Sequence, residues 1–360
     1  KFALCSDCRK EYTTPENRRF HAQTISCPKC GPVYSLYDRN KKVLSAGVDA
    51  VEECARLIDS GKICVLKGWG GMHLCCNLET IGRFRRWYSR EEKPFAIMLR
   101  DIETVKRYVQ VSEYETELLT SSQKPIVLLK KIKSGKKEII SPGLPNIGIM
   151  LPYSGLHHIL FKYMKSDGIV MTSANISGEP MIIRNNEIFS LGADYYLLHN
   201  RDIVNRCDDS VLRVYKNKTF FIRRSRGYVP EKININHRGN ILSVGAEENV
   251  STGIAKNGML YLSQYIGDTA HYDTLEFARS SINRLISFLD IKQVDRVAVD
   301  LHPRYTTRAL GMSIAEKHNS NLVEVQHHWA HAASLMIDNN IQESEIICLS
   351  LDGTGYGSDR

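Results

Sequence analysis

Apolar and polar positions along this 360-residue chain recur with two different periods. In DAVEECARLIDSGKICVLKGWGGMHLCCN, Glu52 to Ile58 has the three-to-four-residue spacing of an amphipathic helix, Gly61 marks a turn, and Ile63 to Leu66 read as a short buried strand. Gly68, Gly70 and Gly71 then make a flexible loop. The pattern predicts a helix over about 101–122, a strand at PIVLLKK, a Lys-rich hairpin, and strand, turn and helix across GIMLPYSGLHHILFKYM. Another strand, Gly168 to Met171, runs into Thr-Ser-Ala-Asn. From Asn240 the texture changes to short strands, with Asn257-Gly258 between apolar runs as a hairpin signal. A helix over Asp273 to Asp290, the buried strand RVAVD, a helix over Thr307 to His318, the strand LVEV and a helix opening at HHWAH follow. The last apolar run, IICLSL, predicts a strand opening into a loop with glycines at 353, 355 and 357. Strands in series, then alternating with helices, indicate a mixed α/β layer.

Length and composition narrow this picture. A chain of this size holds two or three domains. No apolar run approaches the roughly 20 residues of a membrane span, and the opening KFALCSDC does not read as a signal peptide. The expectation is a cytoplasmic protein without membrane contact. Net charge is +8, spread as +5 over residues 1–42, +9 over 43–239 and −6 over 240–360. A basic middle beside an acidic end fits a polyanionic ligand in the middle, or an ordinary solvated surface; charge alone does not separate them. Arg83, Arg85, Arg86, Arg90 and Lys93 precede PFAIML and read either as a solvated helix face or as an anion site at the strand boundary. Arg201 and Arg206 mixed with Asp208 and Asp209 read as an internal ion-pair network or as an arginine clamp on an anion.

Ten cysteines are present. Four form two CxxC pairs, Cys5 with Cys8 and Cys27 with Cys30, separated by eighteen residues, a pattern that suits tetrahedral zinc. The stretch between them has too little apolar surface for its own core, so metal binding would supply the folding energy. A redox dithiol or a nucleic-acid finger is the alternative. Cys54, Cys64, Cys75, Cys76, Cys207 and Cys348 mostly sit in apolar surroundings and read as buried thiols.

Other residues carry candidate chemistry. Lys67 ends a strand just before the glycines, where it could hold phosphate or simply flank a turn. Ser173 and Asn175 can bind phosphate or carbonyl oxygen without a charge penalty, or form an ordinary Ser/Asn turn. His157 and His158 begin a helix and read as capping or packing residues. His327 and His331 stand four apart and share a helix face, a common half-site for a divalent metal, whereas His328 faces elsewhere. The closing glycine loop could bring backbone N–H groups close to phosphate oxygens.

Taken in order, CSDC…NRRFHAQ…CPKCGP, KGWGGMHL, EKPFAIM, MTSANISGEP, NRCDDSVLR, RRSRGYVP, VGAE, YLSQYIGD, HHWAH and LDGTGYG resemble the HypF family of carbamoyltransferases, which mature NiFe hydrogenases. The resemblance implies a multidomain α/β chain. Residues 1–40 would be part of a small cysteine zinc finger, and 46–232 a YrdC-like twisted α/β sheet domain. Residues 240–360 would be the N-terminal lobe of an actin/Hsp70-like (ASKHA) domain related to the universal tRNA threonylcarbamoyl transferases.

It also implies an activity. Members use carbamoyl phosphate and ATP with magnesium to form carbamoyladenylate, then pass the carbamoyl group to the C-terminal cysteine of the partner HypE, where it becomes a cyanide ligand of iron. Lys67, Arg90, Ser173 and Asn175 are the expected catalytic residues. Lys93, Arg206, Asp352, Gly353, Thr354 and Gly355 are the expected nucleotide contacts. Cys5, Cys8, Cys27 and Cys30 would hold zinc. His327 and His331 would hold a second divalent metal, iron or zinc, with a third ligand from a lobe outside the chain.

Three departures accompany the resemblance. The family's acylphosphatase-like domain and its first two CxxC pairs are not in the sequence. Tyr88-Ser89-Arg90 stands where a basic Lys-x-Arg is usual, and the chain stops just past DGTGYG. The expectation is therefore a fragment that is incompetent for the full transfer. An RNA-binding YrdC-like module and a tRNA threonylcarbamoylation protein are the competing readings. The first lacks interleaved basic and aromatic positions, and the finger counts against the second.

Overall fold

A computed structural model describes residues 3–132, 138–176, 178–343, 345–353 and 355–357. The chain divides into two compact units. One comprises 1–174, 181–206 and 211–220, and the other 175–180, 207–210 and 221–360.

The first unit is built on an eleven-stranded mixed sheet among the described residues, and only the end of the last of these strands in chain order falls outside the unit. Its strands are β1 (Tyr34–Asp38), β2 (Val43–Ala46), β3 (Cys64–Lys67), β4 (Met72–Asn77), β5 (Ala96–Leu99), β6 (Ile126–Lys130), β7 (Asn146–Met150), β8 (Gly168–Ser173), β9 (Tyr195–His199), β10 (Val211–Tyr215) and β11 (Lys218–Arg223). Their order across the sheet is β11-β10-β6-β7-β5-β8-β4-β3-β9-β1-β2. Every residue of β3 and β4 is buried, which is why Ile63 to Leu66 read as a continuous apolar run rather than an alternating one. The helix Val48–Asp59 buries Ala50, Val51, Cys54, Ala55 and Ile58 and shares one core with Leu36, Leu66, Cys75, Met171 and Leu197 of the sheet. Burying Val51 and Ile58 is worth about 1.5–3 kcal/mol each. The helix Gly155–Tyr163 adds Leu156, Leu160 and Phe161 to the same core. Ser154 caps it, accepting from His157 N, and Ser154 Oγ lies 3.0 Å from His157 Nδ1, so His157 is a capping and packing residue as expected. Cys54, Cys64, Cys75 and Cys76 are all buried.

The helix expected over about 101–122 is two helices, Ile102–Tyr108 and Glu113–Thr120. Val109 is extended and bridges to Lys131, and Ser112 opens the second helix with a full capping box to Glu115. Two β-branched valines and a strong N-cap therefore outweigh the apolar period that ran through them. The Lys-rich hairpin falls largely on residues 133–137, outside the described residues.

The second unit carries a six-stranded sheet among the described residues: β12 (Glu231–Asn234), β13 (Ile241–Ser243), β14 (Gly253–Lys256), β15 (Met259–Leu262), β16 (Arg296–Asp300) and β17 (Asn321–Val325), in the order β12-β15-β14-β13-β16-β17. β14 and β15 form the expected hairpin, with Asn257 and Gly258 both at positive φ, 52° and 79°. β13, β16 and β17 run parallel, with the helices Tyr272–Phe288 and Thr306–His318 preceding β16 and β17. Leu242, Val244, Phe277, Ile282, Val297, Val299 and Leu310 form its core. The helix His327–Asp338 buries none of its residues, and Trp329 is 76% exposed. Ile346 to Leu351, expected as a strand, is not one. A strand needs a neighbour's backbone groups to complete it, and the described residues supply none there; Ile347, Leu349 and Leu351 are exposed.

Candidate functional site

Three clusters gather the expected residues. The first is the cysteine knuckle. Cys5 and Cys8 sit at the start of the helix Ser6–Thr13, and Cys27 and Cys30 in the turn that follows. The four Sγ atoms lie within 4.8 Å of one another, with Cys5–Cys27 at 3.6 Å and Cys27–Cys30 at 3.8 Å. A tetrahedron of Zn–S bonds of about 2.3 Å requires S···S separations of about 3.7–3.8 Å, so the four thiols fit a zinc ion. Backbone N–H groups at Cys5 and Cys27 bring the Cys30 thiol down to about 6. Burial, then hydrogen bonding to the other thiols, pushes Cys8 up to about 12. The arrangement closes all four positions, so its role is structural.

The second cluster lies at one end of the first sheet. β3 and β4 are joined by a tight antiparallel hairpin, with Lys67 opposite Met72 and Gly68 N donating to Gly71 O at 2.8 Å. The glycine-rich stretch is thus a turn. Lys67 is only 2% exposed, and its Nζ donates to Asn185 Oδ1 at 2.6 Å, His199 O at 3.2 Å and Arg201 O at 2.5 Å. Burial lowers its pKa. All three of its N–H donors are thus directed at protein acceptors in this structure.

Arg90 lies beside the end of β8. Its Nη1 donates to Thr172 Oγ1 at 2.7 Å, and its guanidinium lies 5.6 Å from the Phe95 ring centre. The neighbouring Tyr88 hydroxyl donates to Ser173 O at 3.3 Å. The helix Ile81–Trp87 ends with Ser89 at φ 49° and a bond from Arg90 N to Arg85 O at 3.0 Å, the 6→1 closure of a Schellman-type cap.

Arg85, in the sequence only one member of a basic cluster, organises this corner. It is 6% exposed. Its guanidinium donates to the carbonyls of Ile139, Arg90, Glu91, Lys93 and Ile140 at 2.8–3.0 Å. The loop carrying Arg90 and Lys93 is therefore strung on one buried cation. The only hint in the sequence was that a residue of the basic cluster abutted a buried strand.

Register separates the other expected residues. His73 pairs with both Leu66 and Ser173, while Lys67 and Thr172 alternate with them along their strands. Ser173 and His73 therefore face one side of the sheet, and Lys67 and Thr172 the other. The Asn175 amide donates to Ile176 O at 2.8 Å and Glu179 O at 3.0 Å, bracing its own loop. Arg206 Nε donates to Met181 O at 2.6 Å. Asp208 and Asp209 pair with Arg223 at 3.4 Å and Arg226 at 2.8 Å, so the acids of this stretch belong to an ion-pair network with later arginines.

The third cluster is in the second unit. Gln326 caps the final helix, which places His327 and His331 one turn apart on one face. Asp352 Oδ2 lies 3.1 Å from His327 Nε2 and 3.4 Å from His331 Nε2, and Oδ1 lies 2.8 Å from His328 Nε2. His327, His331 and Asp352 can thus present one ligand atom each to a single ion. Asp352, expected as a nucleotide contact, lies beside the imidazole pair in this structure. Burial works to raise the Asp352 carboxyl, but the hydrogen bond and charge of His328, with the charges of His327 and His331, hold it below its ordinary value. Behind His327, Asp300 Oδ2 lies 2.7 Å from Nδ1. Two imidazoles, one carboxylate and open positions suit zinc or iron. A Cβ at Gly355 would collide with the His328 ring, so a larger residue there would have to displace that ring. Gly353 is open on all sides, and Thr354 lies outside the described residues.

Family models match residues 4–37 (HypF finger), 56–225 (Sua5/YciO/YrdC, telomere recombination) and 236–338 (HypF Kae1-like domain). The probable carbamoyltransferase HypF of Methanocaldococcus jannaschii is 43% identical over 99% of this chain and 54% of its own length. Carbamoyltransferase HypF of Rhizobium leguminosarum is 36% identical over 99% of this chain and 53% of its own. Among solved structures, T. kodakarensis HypF superposes with a TM-score of 0.91 at 47% identity, covering 99% of this chain and 47% of that one. A full-length HypF in its phosphate- and nucleotide-bound form gives 0.87 at 38% identity, covering 99% and 47%. The chain spans about half the length of the curated relatives it matches.

Proposed function

This chain belongs to the HypF carbamoyltransferase family, and on that premise we propose that it serves carbamoyl transfer in NiFe hydrogenase maturation. In this reading the YrdC-like region forms carbamoyladenylate: water releases phosphate from carbamoyl phosphate to give carbamate, the carbamate oxygen attacks the α-phosphorus of magnesium-bound ATP, and pyrophosphate leaves. The Kae1-like lobe then passes the carbamoyl group to the C-terminal cysteine thiol of HypE, with AMP departing.

The observation that carries the first half is Arg90. An acyl adenylate forms by in-line displacement on a highly charged triphosphate, a step that needs fixed positive charge more than acid–base chemistry. Arg90 is pre-set for this, with its loop held by Arg85 and its guanidinium anchored on Thr172. Lys93, on the same loop, adds a second cation. The full-length HypF with phosphate and nucleotide bound supports the same ligand class. For the second half, His327, His331 and Asp352 would hold a divalent iron or zinc ion supplying Lewis acidity toward the acyl phosphate. Asp300 would keep His327 in the tautomer that presents Nε2.

The test is ATP–pyrophosphate exchange on the purified chain with candidate acyl donors. Exchange that requires carbamoyl phosphate is expected. Exchange supported only by threonine with bicarbonate would overturn the reading in favour of tRNA threonylcarbamoylation chemistry.

A further inference from the structure

The cysteine knuckle and the glycine turn after β3 are joined through one arginine. Arg201 Nη2 donates to the carbonyl of Cys30, one of the four zinc-type thiol residues. At the other end of the same residue, Arg201 O accepts from Lys67 Nζ at 2.5 Å, and Arg201 N donates to His199 Nδ1 at 3.2 Å. Because Nδ1 is the acceptor, His199 carries its proton on Nε2, which lies 3.2 Å from Gly68 O. Asn185 closes the set, accepting from Lys67 at 2.6 Å and donating to His199 O at 3.2 Å. Lys67 and Gly68 are the residues that open the turn. A hydrogen-bonded path thus runs from the backbone of a metal-ligating residue to the first residues of that turn.

We propose that the zinc knuckle is a positioning element for the β3–β4 turn, acting through Arg201. With zinc bound, the Cys30 carbonyl is fixed and holds the Arg201 guanidinium. That fixes the Arg201 carbonyl over Lys67, and the Lys67 ammonium and His199 imidazole then lock the turn. Without zinc the knuckle has no core of its own, the Cys30 carbonyl is lost as an anchor, and the turn loosens. The finger is then a brace for the sheet domain rather than a separate binding module. Its importance for catalysis rests on the reading of this sheet end as the activation site; the coupling itself does not.

Hydrogen exchange on the intact zinc-loaded chain tests it without any substrate. Removing zinc with a tight chelator is expected to speed exchange in residues 67–72 and 199–202 by about tenfold, the size expected for losing a charge-assisted hydrogen bond. In Arg201→Gln those segments should exchange fast with zinc still bound at the wild-type stoichiometry, and chelation should add nothing further there. Arg201→Lys, which keeps a donor, should fall between the two, and a melting temperature close to wild type for either variant confirms folding. Acceleration confined to residues 3–33 on chelation would overturn the proposal. So would a chelation effect that still reaches 67–72 in Arg201→Gln, because the signal would then travel by another route, such as the pairing of Val33 with Asn200. Failure of ATP–pyrophosphate exchange would sink the functional reading and leave this result standing.

Discussion

Asp300 Oδ2 lies 2.7 Å from His327 Nδ1 although 27 positions separate the two residues. The parallel pairing of β16 with β17 sets Asp300 opposite Val325, two residues before His327, so the strand register itself delivers the carboxylate. Asp300 is 8% exposed and its carboxylate lies within hydrogen-bond reach of Nδ1, so Nε2 is the ring nitrogen that faces Asp352. Asp300→Asn should weaken zinc or ferrous iron binding at the His327–His331–Asp352 cluster by about 10–100-fold. His327→Ala should abolish it. Competition titration against a chromogenic chelator, with the finger zinc as internal reference, reads both, and wild-type affinity in Asp300→Asn would remove its orienting role.

Arg85 and Arg90 should separate in their effects. Arg90→Ala is expected to lower carbamoyl-phosphate-dependent exchange by about 10²–10³-fold, the usual cost of one preorganised charge-stabilising donor, with little change in unfolding midpoint. Arg85→Ala leaves several buried carbonyls without donors at about 1–3 kcal/mol each, so urea unfolding should show a loss of at least about 3 kcal/mol. Equal stability loss in the two variants would argue that Arg90 is merely structural.

His199 predicts a pH dependence. Burial lowers its pKa from the ordinary 6.5, with the nearby charge of Lys67 acting the same way. The unfolded chain therefore takes up the proton first as pH falls. The stability this neutral imidazole contributes is complete above the unfolded value near 6.5 and is lost as pH drops through that value toward the lower folded one. Urea midpoints measured from about pH 7.5 to about pH 5.5 should fall, and His199→Gln should flatten that part of the slope. An unchanged slope would mean that other groups carry it.

Replacing either Cys8 or Cys30 by serine should drop bound zinc from about one equivalent per chain to near none, as elemental analysis reads directly. Reloading the wild-type apo chain should weaken as pH falls through about 6, where the Cys30 thiolate is protonated. Affinity independent of pH across that range would exclude thiolate ligation.

Much of this molecule was legible in the residue pattern. The buried strands β3 and β16, the Asn257-Gly258 hairpin, the helices at Val48 and Tyr272 and the two CxxC pairs all announce themselves through local period, turn chemistry or ligand spacing. The single long helix over about 101–122 failed because an apolar period does not register a strong internal cap such as Ser112. The final strand failed because IICLSL states only that the segment is apolar, whereas a strand also requires a neighbour to pair with.

The sequence by itself therefore determined the element types, the zinc-type knuckle and the imidazole pair, because each depends on residues within a few positions of one another. Tertiary structure decided which charges do what. Lys67, Arg85 and Arg90 are indistinguishable as isolated cations. Only the folded sheet turns Lys67 onto three protein acceptors, buries Arg85 among five carbonyls and carries Arg90 to Thr172 at the strand end. In the same way strand register, and no local signal, brought Asp300 to His327, and the path of the closing loop brought Asp352 to the imidazole pair. A charge takes its role from the acceptors within about 3 Å of it, and those are set by pairings many residues apart.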